Sequence, residues 1–297
     1  MVKKAIPVYD IPAIDEGARH GLLAAQLSGY VQRHYEHLHH PHRHSFYHLV
    51  LFTAGHGWHT IDFHRYPVQQ GAAYFMSPGQ VHGWEFEGPV EGYVVHFNET
   101  FFRSFLQDDR YLERFPFFSG DAAQGVCQLE KTELTKAVAL FEGILGEATL
   151  DANHSIDLVR LQLLHYFILV ERHCSSLGAK TIPAQKSLLL RNFRRLIEEH
   201  YAEWRLPKHY ADVLYVTPNH LNALCRDLLG KTAGDLIRER VLLEAKRLLT
   251  AADLSVAAIA DTLRFEDASY FGRFFRKYEG TTPEQFRKQQ FSHRKTE

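Results

Sequence analysis

The sequence predicts an α+β chain of two domains, an N-terminal antiparallel β-barrel of jelly-roll type and a C-terminal all-α part carrying a double helix-turn-helix. Three observations lead there. Short aromatic and β-branched runs between about Tyr30 and Phe97 are punctuated by Gly and Pro. Beyond Glu130 the apolar residues switch to a period near 3.6. Near the C-terminus one pattern of short helix, tight turn, capped helix and glycine occurs twice, about fifty residues apart.

In the N-terminal part, residues 47–53, 58–63, 73–76 and 92–97 have strand composition. Gly55, Gly57, Pro67, Gly71, Pro78-Gly79 and Gly88-Pro89 stand where turns between strands belong. Residues 1–179 hold 16 of the 20 histidines, several of them crowded into residues 34–44. Residues i and i+2 of a strand share a face, so His42 and His44 point the same way and can converge with His82. With His48, such a set is able to ligate a Zn²⁺, Fe or Ni type ion. The alternative is a pocket in which histidines act as donors and acceptors beside inward aromatic residues, suited to a small organic molecule with an apolar part. The second is the expectation: His42, His44, His48, Phe52, Trp58, Tyr74, His82 and Trp84 contact the small molecule, Phe46 stands nearby, and neither a cofactor nor a stoichiometric metal is required.

Residues 130–150 and 155–173 read as two amphipathic helices. Leu158, Leu161, Gln162, Leu164, His165, Ile168 and Leu169 make the second apolar over more than a narrow stripe, so part of it is expected to cover the barrel and the rest to meet a second subunit. Residues 175–183 read as a flexible linker.

The repeated pattern can be taken position by position. In the first copy Thr217 is the N-cap and Pro218 suits the first helical position, so Leu221, Leu224, Cys225 and Leu228 form the inward face. Asn219, His220, Asn222, Ala223 and Arg226 are left for the outside. In the second copy Asp267 caps, Phe271, Phe274, Phe275 and Tyr278 face inward, and Ser269, Tyr270, Gly272, Arg273, Arg276 and Lys277 are exposed. Arginine reaches guanine bidentately and asparagine does the same for adenine, so two such faces point to double-stranded DNA. Residues 233–249 form a connecting helix about 25 Å long, a rod able to set two reading helices toward the ~34 Å spacing of successive major grooves. Arg238, Arg240, Lys246 and Arg247 on it are expected to meet phosphates.

Residues 188–288 resemble the DNA-binding domain of AraC/XylS-type transcriptional regulators. The resemblance is carried by residues 242–249 (LLEAKRLL), 254–260 (LSVAAIA), 265–267, 269–271, 273–277 and 280–287 (GTTPEQFR). It implies seven helices, with base contacts at Asn219, Asn222 and Ala223 and at Ala268, Ser269, Gly272 and Arg273. Family members usually have glycine where this chain has Tyr215 and Arg264, so either a strained backbone or a slightly reshaped turn is expected at both. The N-terminal part is similar to the cupin domain that such regulators often carry as an effector sensor, on residues 42–44, 55–57, 71 and 78–82. In metal-binding cupins a glutamate stands where this chain has His48. Together the resemblances imply a ligand-responsive, sequence-specific regulator, more often an activator than a repressor. They also imply a homodimer on promoter DNA, with RNA polymerase as a further partner. The competing reading is a metal-dependent cupin enzyme, dioxygenase-like, with the helical half as a passenger.

The expected boundaries are residues 1–120 for the sensor, 121–184 for the helical dimerisation segment and linker, and 185–290 for the DNA-binding domain. The net charge of −1 conceals a division. Residues 180–297 hold 21 Lys and Arg against 15 Asp and Glu, a net of +6, while residues 1–179 carry a net of −7. A basic half binds phosphates and an acidic half stays off DNA. Cys127, Cys174 and Cys225 show neither metal spacing nor a disulfide framework, and no signal-peptide pattern or apolar run of about eighteen residues is present. A reducing cytoplasm and no membrane partner are therefore expected.

Overall fold

The computed structural model describes residues 7–38, 40–103, 105–108, 111–150, 152–176, 184–251 and 254–293. The chain divides into two compact units, one built from Val8–Lys180 and one from the chain that follows.

The first unit contains two five-stranded sheets. One runs in the order β1 (Val8–Tyr9), β3 (His42–His44), β8 (Val81–Phe86), β5 (Gly57–Ile61), β6 (His64–Val68). The other runs β10 (Val126–Gln128), β7 (Ala72–Met76), β4 (Tyr47–Ala54), β9 (Glu91–Phe97), β2 (Leu22–Gln26). Every described pairing is antiparallel except β1 with β3. Alternation along β4 shows how the second sheet is used. Val50 and Phe52 belong to the core between the sheets, whereas Leu49 and Leu51 belong to a separate core on the opposite face. Both faces of this sheet are buried, which is why β7 reads Ala-Ala-Tyr-Phe-Met with no polar residue.

The outer face of that sheet is covered by α3 (Lys131–Thr149) and α4 (Ser155–Ser176). Ala137, Phe141 and Ile144 of α3 and Val159, Leu163, Tyr166, Phe167 and Val170 of α4 are buried at helical spacing. Burying each large apolar side chain of this kind contributes roughly 1.5–3 kcal/mol. Leu158 and Leu161 of α4 stay exposed, at 43% and 51%. The helical pair thus shares a core with the barrel.

Two expectations need correction here. The strand-rich stretch begins later than Tyr30, which lies on α2 (Leu27–Leu38); this helix follows α1 (Ile11–Ile14) and β2 and buries Leu27 and Tyr30 three residues apart. Cys127 and Cys174 were read as unpaired, yet they form a disulfide, because α4 returns across the sheet and brings its C-terminal end to β10, with the Cα atoms 6.5 Å apart. A separation of 47 residues hid that return.

The second unit has seven helices among its described residues: α5 (Ala184–His200), α6 (Pro207–Val213), α7 (Pro218–Leu229), α8 (Ala233–Ala251), α9 (Val256–Thr262), α10 (Ala268–Glu279) and α11 (Pro283–His293). Residues 177–183 of the expected linker lie outside the described residues. Phe193 and Ile197 of α5, Tyr210 of α6, Leu221 and Cys225 of α7 and Ile237 of α8 form a common core.

The basic residues of α8 serve the fold, contrary to expectation. Arg240 is held by Glu198 at 2.7 Å and Glu244 at 3.1 Å and lies over the Tyr201 ring. Lys246 pairs with Glu279 at 3.1 Å, Arg247 is buried against Glu244, and Arg238 pairs with Asp235. The acidic partners come from other helices or from one turn away, a pairing that composition alone does not reveal.

Candidate functional site

The two short helices α7 and α10 are built alike. Thr217 Oγ1 accepts from the His220 amide at 3.1 Å, and Asp267 Oδ1 accepts from the Tyr270 amide at 2.7 Å, so each helix starts on a side-chain cap. Each ends at a glycine in the left-handed region, Gly230 with φ 71° and Gly280 with φ 82°. In both, the preceding turn carries a non-glycine residue at positive φ, Tyr215 at 54° and Arg264 at 57°. Of the two outcomes expected at these positions, the strained backbone is the one present.

Most of the sequence-predicted faces lie on the surface. Asn219, His220, Ala223 and Arg226 are exposed on α7, as are Ser269, Tyr270, Arg273, Arg276 and Lys277 on α10, with Ala268 and Gly272 half-buried among them. Asn222 differs. It is half-buried, and its Oδ1 accepts from the Ala233 amide at 3.0 Å, capping the start of α8. Tyr278, expected inward, is 40% exposed, with its ring 5.0 Å from Phe274.

The space between the sheets holds a cluster of six buried histidines. His42 and His44 enter from β3, His82 from β8 and His59 from β5, while His48 and His96 enter from β4 and β9 of the other sheet. Register explains the convergence, since His42 is the cross-strand partner of His82 and His48 that of His96. Ring centroids lie 4.1 Å apart for His42 and His82, 4.7 Å for His44 and His82, and 4.8 Å for His42 and His44. One ring nitrogen from each of these three lies within 4.8 Å of the others. These are the residues able to hold a metal. Phe46 stacks on His44 and His96, and Phe52, Tyr74 and Trp84 complete the buried wall.

Two of these histidines, His59 and His96, were missed by sequence reasoning, although alternation with Ile61 on β5 and Val94 on β9 carried the signal. The same alternation puts Trp58 outside. It faces away from the cluster, stacked under the Arg65 guanidinium at 4.7 Å.

Burial sets the charge state of the cluster. His42 is lowered to about 4 by burial, opposed by its bond to the His40 carbonyl, and His48 is lowered to about 3 by burial and then by the charge of His42. His44, His59, His82 and His96 are held well below the usual imidazole range by burial first and by neighbouring histidines second. Near neutral pH the cluster is a set of uncharged imidazoles.

The AraC-like ligand binding domain family matches residues 25–166, and a helix-turn-helix domain family matches residues 210–289. Together they span 222 of the 297 residues, in the order seen in the structure. The chain belongs to the AraC-type transcriptional regulators. As in other AraC-type regulators, a sheet-rich ligand-binding domain precedes the helical DNA-binding domain.

Among full-length relatives of this regulator, the transcriptional activator RhaS of Pectobacterium atrosepticum is 25% identical over 252 residues, 84% of this chain and 88% of that protein. The activator RhaR of Yersinia pseudotuberculosis is 22% identical over 248 residues, 83% of each chain. The uncharacterized regulator YisR of Bacillus subtilis is 30% identical over 107 residues, a match spanning 37% of its length. The crystal structure of ToxT from Vibrio cholerae aligns over 91% of this chain and 98% of its own, at 11% identity and a TM-score of 0.42.

Proposed function

We propose that this regulator is an effector-responsive activator that binds promoter DNA as a homodimer, reading bases with α7 and α10. The carrying observation is that two helices with matched caps and matched glycine stops leave polar faces exposed, with Asn219 and Arg226 on one and Ser269 and Arg273 on the other. Asn219, His220, Asn222, Ala223 and Arg226, with Ala268, Ser269, Tyr270, Gly272 and Arg273, are assigned to the DNA face. Arg276 and Lys277 are assigned to phosphates. For Asn222 the contact is made by its amide group while its oxygen caps α8.

The activator direction is supported by the relatives named activators. Dimerisation is supported by α4, whose Leu158 and Leu161 stay exposed beside Leu164, Ile168 and Leu169, half-buried residues at the edge of the core that covers the barrel. Effector recognition is assigned to the histidine cluster with Phe52, Tyr74 and Trp84, and the domain boundaries follow as residues 1–120, 121–184 and 185–290. No described helix is long and apolar enough to cross a membrane. With promoter DNA and RNA polymerase as proposed partners, the reading assigns the regulator to the cytoplasm. An effector that prefers one arrangement of the sensor shifts the population of DNA-competent dimers, so the reading assigns the chain no catalytic step.

Selection of bound sequences from random duplex DNA, followed by anisotropy titration and sedimentation, tests this reading. A two-part site bound by a dimer, at least ~10³-fold tighter than random DNA, is the expected result. Affinity equal for selected and random sequences would refute it.

A further inference from the structure

Seven ring nitrogens of the buried histidine cluster have no hydrogen-bond partner among the described residues: His42 Nε2, both nitrogens of His44, His48 Nε2, His59 Nδ1, His82 Nε2 and His96 Nδ1. A buried polar atom without a partner costs on the order of 1–3 kcal/mol, and in folded chains such atoms are few and scattered. Here they converge on one place, from rings exposed by no more than 3%. Each neutral ring has one N–H and one lone pair, so four of the seven are lone pairs and three are N–H groups, and a core that collects four uncompensated lone pairs at one place is suited to a group that binds them.

Hydrogen bonding on the other side of the rings shows which nitrogens are available. His42 Nδ1 lies 2.8 Å from the His40 carbonyl oxygen. A carbonyl only accepts, so Nδ1 carries the proton and Nε2 keeps the free lone pair. His82 Nδ1 lies 2.9 Å from His59 Nε2, which lets His59 accept from Nδ1 and orients the His82 ring with Nε2 free. His48 Nδ1 and His96 Nε2 make a similar contact at 2.9 Å. A ring fixed through one nitrogen, with the other presented to a common centre, is the arrangement that holds an imidazole as a metal ligand.

We propose that the barrel of this chain holds a divalent transition-metal ion on His42 Nε2, His82 Nε2 and a ring nitrogen of His44. The unpartnered Nε2 of His48 stands beside this trio, with its ring 4.9 Å from His82 and 5.1 Å from His44. Three protein ligands leave coordination positions open, to be taken by His48, water or a donor group of a small molecule. A donor set made wholly of imidazole selects Zn²⁺, Cu²⁺, Ni²⁺, Co²⁺ or Fe²⁺ over Ca²⁺ and Mg²⁺, which require oxygen. The site also explains why five strands place six histidines where aliphatic residues would pack: buried neutral imidazoles have little value in a core except to a cation that binds lone pairs. The inference rests on the sensor reading for its regulatory meaning and not for its chemistry.

The full chain without an affinity tag, stripped with a chelator and titrated with Co²⁺ and then Zn²⁺, provides the test. Visible d–d absorption saturating at one Co²⁺ per chain is expected, with displacement by one Zn²⁺. His44→Gln and His82→Gln should each weaken Co²⁺ binding at least ~100-fold, whereas His56→Ala and His64→Ala, at exposed positions, leave it unchanged. Circular dichroism separates loss of ligand from loss of fold, and if one glutamine variant unfolds the other carries the comparison. Dissociation constants weaker than about 100 µM, or binding indifferent to both glutamine variants, overturn the proposal. Sequence-selective DNA binding is measured on the same preparation. Selective binding without metal uptake leaves the regulator reading standing and removes this one; metal uptake without selective binding does the reverse.

Discussion

The guanidinium of Arg205 spans the two helix-turn-helix units, its Nη2 donating to the backbone carbonyl of Leu263. Arg205 belongs to the segment between α5 and α6, and Leu263 is the C-terminal cap of α9. The same side chain donates through Nη1 to the Tyr201 carbonyl at 3.1 Å and lies 4.4 Å over the Phe265 ring. One side chain thus satisfies an orphan carbonyl at a helix end and stacks on the turn that launches the second reading helix.

Removing that tie should be costly. Arg205→Ala is expected to destabilise the helical unit by roughly 1–3 kcal/mol. Arg205→Lys should restore only part of this, because a single ammonium does not reach two carbonyls while stacking flat on a ring. Urea unfolding of the three proteins decides it; full rescue by lysine would show that only the charge matters.

At the two helix-turn-helix turns, glycine should improve stability. Tyr215 is 96% exposed and Arg264 is exposed, so neither substitution empties a core, while left-handed backbone is unfavourable for both residues. Tyr215→Gly and Arg264→Gly are each expected to stabilise by about 0.5–1 kcal/mol, after allowing for the flexibility glycine adds to the unfolded chain. A lowered unfolding midpoint in both would mean that the turn side chains contribute contacts worth more than the strain.

The exposed face of α10 separates two kinds of contact. Arg273→Ala should cost about 1–3 kcal/mol at the selected site and relax preference at one base pair. Arg276→Ala or Lys277→Ala should weaken selected and random DNA alike and reduce the salt dependence. Titrations at several salt concentrations check both; equal loss on both DNAs for Arg273→Ala would reassign it to the phosphates.

Much of the helical unit was legible in the sequence because its signals are local. Thr217, Pro218, Gly230, Asp267 and Gly280 announce helix ends within a few residues, and the structure uses each as read. What escaped reading depends on distant partners. Asn222 looks like any outward asparagine until α8 brings the Ala233 amide to it. Arg240 looks like a phosphate ligand until Glu198 arrives from α5. In the barrel, strand composition was clear but parity was not: Trp58 and His59 are neighbours, and a shift of one residue exchanges wall and exterior. His96 was passed over for the same want of parity, and the Cys127–Cys174 pair because its two members lie 47 residues apart.

The disulfide fastens the end of α4 to β10. Reduction is expected to lower the stability of the sensor unit by roughly 2–4 kcal/mol, and Cys174→Ser should match the reduced protein. Unfolding with and without reductant measures this. Three free thiols titrated in denaturant, without reductant, would show that the bond does not form.

Cys225, buried in the helical core, is raised to about 11 by burial. A raised thiol favours the protonated, folded form below the ordinary value of 9.0, and that part of the stability is lost as pH rises toward 11. Native-state alkylation should therefore be slow at pH 8 and climb about tenfold per pH unit until about pH 11, followed by mass spectrometry. Fast labelling at pH 8 would mean that the helix packing opens.

Strand β4 has two audiences. His48 presents its ring to the histidine cluster, and Leu49, the next residue, presents its side chain to the layer that contains α3 and α4. His96 and Val95 do the same on β9. Packed interiors deform little, so a strand displaced by a fraction of an ångström at the histidines carries its outward residues with it. No hinge or relay is needed between inside and outside: adjacent residues of one strand join the histidine cluster to the layer that contains α3 and α4.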